Sequence, residues 1–144
     1  MRYTVTHSCG HTATHNLYGS SRERKWRLTR LASEPCLECR NKAAAEANRQ
    51  QGLPALTGTE KQVQWAESIR QKLLQDLDKQ VQLWLTHGRL SEADRAELDA
   101  AVEYIREQSS ASWWIDRRLE SGTSLLREAV LTLRRAQEGS ADGR

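Results

Sequence analysis

The chain has no phenylalanine, one methionine, two prolines and three cysteines among its 144 residues. Three thiols cannot all pair, so a disulfide-stapled scaffold is excluded; an odd count in a reducing compartment points to metal ligation or free thiols. No window approaches the ~18–20 uninterrupted apolar residues of a membrane helix. Met1 to His11 lacks the apolar core of a secretion signal. The expectation is a cytoplasmic protein with no membrane partner. Catalytic signatures are also missing: there is no Gly-rich phosphate loop, no G-x-S-x-G and no H-E-x-x-H. The carboxylates are scattered beside basic residues, as on solvated helix faces. A chain of 16.4 kDa is one ordinary domain or two very small ones, and the expectation is a protein that is not an enzyme.

What is present is unevenly distributed. Residues 1–51 hold nine Lys/Arg and four Asp/Glu, a net of +5, while residues 52–144 carry a net of −2. The break falls at Gly52-Leu53-Pro54-Ala55-Leu56-Thr57-Gly58. Gly52 suits the residue after a helix end, and Pro54 opposes continuation. This predicts a first module over residues 1–51, a linker over 52–59, a helical bundle over 60–136 and a flexible tail over 137–144.

The first module opens with alternating text around Tyr3 and Val5, and again from Thr12 to Leu17, with Cys9-Gly10-His11 as the turn of a small β-hairpin. Ser20 and Glu23 form a capping-box pair that starts a helix running to about Ala32. Pro35 stops it, Cys36 to Cys39 forms a turn, and an alanine-rich helix follows to Gln51. In the second module Thr59 and Gln62 open a helix of about 27 residues, roughly 40 Å long. Its stripe of Ala66, Ile69, Leu73, Leu77, Val81 and Trp84 steps by three or four. Ser91 caps the next helix. Ser109 to Leu119 carries Trp113 and Trp114, and Leu126, Ala129, Val130 and Leu133 mark a last amphipathic helix. Short connections favour antiparallel neighbours. The predicted fold is mainly α with a small β-hairpin: a zinc-ribbon-like module followed by an antiparallel helical bundle. The long helix outreaches its neighbours, so a homodimer covering its far end is a further expectation. With no phenylalanine, Trp65, Trp84, Trp113 and Trp114 read as core anchors ahead of base-stacking platforms.

Two motifs carry chemistry. Cys36-Leu37-Glu38-Cys39 is a C-x-x-C, whose spacing lets two thiolates face one ion. Cys9-Gly10-His11 offers a thiolate and an imidazole across a tight turn, with Gly10 permitting the bend. Together Cys9, His11, Cys36 and Cys39 compose a Cys₃His set for a structural Zn²⁺. His7 and His15 stand as alternatives for the fourth ligand. A module of ~50 residues has little core of its own, and small domains usually need a staple.

The helix between the motifs is basic. Arg22, Arg24, Lys25, Arg27 and Arg30 face a single acid, Glu23. Such a cluster is a solvated face around Trp26, Leu28 and Leu31, or a phosphate-binding surface that Arg40, Lys42 and Arg49 would extend. The expected partner is nucleic acid or a nucleoprotein complex.

Cys9-Gly10-His11, Asn16-Leu17-Tyr18-Gly19, the Arg/Glu-rich helix with its Trp, and Cys36-x-x-Cys39 resemble a group of small zinc-ribbon-like proteins of bacterial phages, plasmids and integrated elements. Leu53-Pro54-Ala55-Leu56-Thr57-Gly58-Thr59-Glu60-Lys61-Gln62 with Trp65-Ala66-Glu67-Ser68-Ile69-Arg70 resembles the segment that follows in that group. Ser112-Trp113-Trp114-Ile115-Asp116-Arg117-Arg118 resembles its later tryptophan motif. The resemblance covers roughly residues 3–118 and brings no established activity. It implies an accessory role in mobile-element biology. The alternative partner on this reading is a host defence protein complex, bound by an inhibitor of the anti-CRISPR kind.

Overall fold

The computed structural model describes the backbone of residues 1–142 and the side chains of residues 1–139. The fold is mainly helical, with one two-stranded antiparallel hairpin at the N-terminal end. Two compact units are present, Met1–Ala44 and Ala45–Arg144.

The first unit pairs β1 (Arg2–Thr6) with β2 (Thr12–Asn16), setting Tyr3 opposite His15 and Val5 opposite Ala13. Alternation turns Val5 inward, and His7 and Leu17 are buried just beyond the strand ends. Helix α1 (Ser21–Ser33) starts with the expected box: the Ser20 hydroxyl accepts from Glu23 N, and the Glu23 carboxylate accepts from Ser20 N. No residue of α1 is buried. Helix α2 (Leu37–Gln50) starts earlier than expected. Cys36 occupies its N-cap position, with its carbonyl accepting from Arg40 N, so Cys39 lies in the first helical turn and not in a loop. The buried apolar residues of this unit are Val5, Leu17, Cys36 and Ala44. That is a thin core, as expected for so short a module.

The second unit holds α3 (Glu60–His87), α4 (Glu92–Arg106), α5 (Ala111–Asp116) and α6 (Gly122–Asp142). Helix α3 packs on α5 and α6, and α4 packs on α6. Their core contains Leu73, Leu74, Leu77, Leu98, Ile105, Trp114, Leu125 and Leu126. Capping boxes at Thr59/Gln62 and Ser91/Asp94 open α3 and α4. At Gly122, where α6 begins, a Cβ would stand 2.7 Å from Leu77 N and 2.8 Å from Leu77 Cα. Glycine is therefore what lets the start of α6 lie against the backbone of α3.

Three expectations are corrected. The segment expected as a linker is packed into the second unit: Leu53 is a core residue, and Thr57 bridges to Ser110, with Thr57 N donating to Ser109 O and Ala111 N to Thr57 O. The unit boundary therefore lies inside α2, because Asn48 and Leu53 bind the bundle. Gly52, at φ 76°, ends α2 with Gly52 N on Arg49 O and Leu53 N on Asn48 O, a C-terminal cap that needs the left-handed region. The expected tail is helical through Asp142, and residues 143–144 lie outside the described residues.

The third correction concerns tryptophan. Trp114 is fully buried, its indole N–H donating to Gln108 O. Trp113 is half-buried under the Arg117 guanidinium, 4.0 Å from its ring. Trp65 and Trp84 are 48% and 37% exposed. Leucine and alanine fill the α3 stripe, and Trp84 falls where α3 runs into an exposed stretch with Leu83 and Leu85.

Candidate metal centre

The turn after β1 is built by hydrogen bonds. His7 N donates to His11 O, and Gly10 N to His7 O, with Gly10 at φ 88°. Ser8 N donates to Glu34 O, which draws the turn onto the segment leading into Cys36. Pro35 ends α1, and Cys36 begins α2 directly.

The consequence is a cluster. One ligand atom each from Cys9, His11, Cys36 and Cys39 lies within 4.8 Å of the others. His11 Nδ1 stands 3.3 Å from Cys9 Sγ, 3.7 Å from Cys36 Sγ and 3.3 Å from Cys39 Sγ. Metal bonds of ~2.3 Å to sulfur and ~2.0–2.1 Å to nitrogen at tetrahedral angles put nitrogen and sulfur about 3.5 Å apart. The observed distances bracket that figure. The set fits a tetrahedral ion, and all four donors come from the protein.

His7 and His15 do not join it. His7 is buried, with Nε2 at 3.0 Å from His15 Nε2 and Nδ1 at 3.2 Å from Glu34 O. Their rings meet edge to face, 5.2 Å between centroids. Of the three candidate imidazoles, only that of His11 is turned to the thiols.

The thiols differ in acidity. The Cys9 thiol is pulled from 9.0 down to about 6, first by hydrogen bonding to the Cys36 backbone amide and then to that of His11. The Cys39 thiol is pushed from 9.0 up to about 11, first by its hydrogen bond with Cys36 and then by desolvation. One thiolate in a tight trio is favoured, and the next is disfavoured by like charge. A divalent cation reverses that penalty, because its own charge outweighs the repulsion.

The basic helix is only partly available. Arg22, Lys25, Arg27 and Arg30 are exposed, whereas Arg24 is half-buried and donates to Gly19 O. Lys42 pairs with Glu38, and Arg49 pairs with Glu46 and belongs to the second unit. Arg117 grips the Glu128 carboxylate through Nε at 3.0 Å and a terminal nitrogen at 2.5 Å. Glu128 holds its guanidinium more basic than usual.

One polar group went unrecognised in the sequence. Arg70 and Glu67 are buried on the packed face of α3, with Arg70 donating to both carboxylate oxygens at 2.9 and 3.0 Å and to Pro54 O at 2.8 Å. Asn48 donates to the Glu67 carboxylate at 2.7 Å and to Glu67 O at 3.0 Å. The readable signal was an acid and a base three residues apart, beside Ala66 and Leu73 of the apolar stripe.

Compared with family models, curated proteins and solved structures, the chain finds no match. No helix among the described residues is long and apolar enough to cross a membrane.

Proposed function

We propose that this chain is a non-enzymatic, zinc-stabilised accessory binding protein of a bacterial mobile element, acting in the cytoplasm and contacting nucleic acid or a nucleoprotein complex through α1. The observation that carries the reading is the surface of α1. Four exposed cations stand on a helix whose single acid, Glu23, is committed to the capping box. Phosphates are the complementary partner for such a surface. Zinc is the ion that suits three thiolates and an imidazole in a tetrahedron. A set filled by four protein donors leaves no open position for a reacting water, which favours a structural role over a catalytic one. The mobile-element setting rests on the motif resemblance.

The test is binding of labelled DNA by the zinc-loaded chain across a salt series. Affinity falls steeply with salt, and Arg22→Glu with Arg27→Glu weakens it. Salt-insensitive binding, or none, contradicts the reading.

A second reading is a protein-directed inhibitor of a host defence complex. It draws on Trp65, half-exposed with the Arg118 guanidinium 5.5 Å from its ring, since Trp and Arg are the usual anchors of protein interfaces. A pull-down from nuclease-treated host lysate separates the two: a defence complex retained by wild type and lost with Trp65→Ala favours this second reading.

A further inference from the structure

The outward face of α1 is not a uniform basic surface. Arg22, Trp26 and Arg30 are spaced i, i+4, i+8, so they form one row along the helix, spanning about 12 Å at 1.5 Å per residue. Leu28, Leu31 and Arg24 are the half-buried residues, and they lie on the opposite side. Trp26 is 60% exposed. The Arg30 guanidinium lies 5.4 Å from its ring centroid. Glu23, three residues before Trp26, lies beside this row on the same side of the helix, with its carboxylate held by Ser20 N.

A single exposed apolar residue is ordinary on a protein surface. A tryptophan set between two cations on a helix with no buried residue is a more specific arrangement. The indole contributes nothing to a core here. The Arg30 guanidinium lies over the ring, which stays largely exposed beside it, and the flanking charges would repel a basic partner and attract an anionic one. Flat aromatic faces beside cations are how nucleic-acid strands with unpaired bases are held: the base stacks on the ring, and the backbone phosphates meet the charges. A duplex offers phosphates but keeps its bases stacked on one another, so it can use the arginines and not the indole. The Arg30–Glu34 pair is exposed at 3.2 Å; pairs of this kind contribute little and exchange readily for a phosphate. Tyr18, two residues ahead of the N-cap, is a second exposed ring in the same unit.

We infer that α1 binds single-stranded nucleic acid in preference to duplex, with Trp26 as the base-stacking platform and Arg22 and Arg30 as its phosphate contacts. This rests on the nucleic-acid reading above and narrows it to one substrate class. The test uses the full zinc-loaded chain and fluorescence anisotropy with two probes, a labelled oligodeoxythymidine and the same strand annealed to oligodeoxyadenosine. Single-strand affinity exceeds duplex affinity. Trp26→Leu lowers single-strand affinity roughly 10- to 100-fold, the range of one lost stacking contact, and leaves duplex binding unchanged. Trp26→Tyr restores most of the loss. Because Trp26 is exposed, both variants keep their metal content, which is measured alongside. Equal binding to the two probes, or a Trp26→Leu variant indistinguishable from wild type, overturns the stacking inference while the phosphate-binding reading stands. Absence of binding to either probe overturns both.

Discussion

The backbone amide of Cys36 donates to the sulfur of Cys9 at 3.3 Å, joining residues 27 apart in sequence. That bond ties the hairpin turn to the start of α2. It also places a donor where thiolate charge is to be held, at the N-terminal end of a helix whose dipole favours an anion. The cluster is thus assembled by the backbone of two separate segments, and His11 reaches it through the same tight turn.

Metal removal should therefore act on one unit. Chelation shifts Met1–Ala44 toward the unfolded chain, because its few buried apolar residues are a poor substitute for a bound ion, worth ~10–16 kcal/mol in small finger peptides. The helices of the second unit persist. Amide exchange before and after chelation reads this directly, with faster exchange confined to residues 1–44. Uniform acceleration across α3–α6 would contradict it.

The fraction of the metal-free first unit that stays folded should depend on pH in two opposed ways. The Cys9 thiol is lowered from 9.0 to about 6, so its contribution is complete above pH 9 and lost as pH falls through 6. The Cys39 thiol is raised from 9.0 to about 11, so its contribution is complete below pH 9 and lost as pH rises through 11. The folded fraction peaks near pH 9. The methyl resonances of Val5 and Leu17 report it, and a steady decline from pH 6 to pH 9 would refute the assignment.

Glu67→Ala should destabilise the second unit by about 3–5 kcal/mol, since it strands a buried guanidinium. Replacing Glu67 and Arg70 together by leucine and methionine costs much less, because no lone charge is left behind. Urea unfolding of the three chains decides the matter; a double variant that loses as much stability as Glu67→Ala, or more, would show that the stranded guanidinium is not the source of the loss.

Gly122→Ala should cost about 1–3 kcal/mol, because its Cβ meets the backbone of Leu77 and Asp76, which cannot move aside as a side-chain tip would. Trp114→Ala should cost about 3–5 kcal/mol, whereas Trp84→Ala stays near ~0.5 kcal/mol. Thermal or urea midpoints rank these variants, and a Trp84 effect as large as that of Trp114 would restore it as a core anchor.

The local chemistry of the fold was legible in the sequence. Capping pairs at Ser20/Glu23 and Thr59/Gln62 and a cap at Ser91 mark helix starts through side-chain and backbone donors that are neighbours in the chain. The four clustered donors were legible as well, because C-x-x-C and C-G-H place ligands by short-range geometry. What lay beyond reach depended on distant partners. The stripe spacing of Trp65 and Trp84 matches burial, but burial requires something opposite, and leucines of α6 meet α3 elsewhere. Pro54 and Gly58 read as a linker, yet Thr57 finds Ser109 and Arg70 finds Pro54 O across the second unit. The exclusion of the alternatives His7 and His15 rests on their bond to one another and on that of His7 to Glu34 O, which no local pattern carries.

The measurement that tests the central claim most directly is metal binding by the purified chain. Native mass spectrometry should find one zinc ion per chain, and Co²⁺ exchanged into the site should show the intense absorption of a tetrahedral, thiolate-bound ion. Cys36→Ser and His11→Ala each weaken or abolish it, while His15→Ala leaves it intact. A chain that holds no metal, or one whose cobalt spectrum changes with His15 and not with His11, would contradict the account.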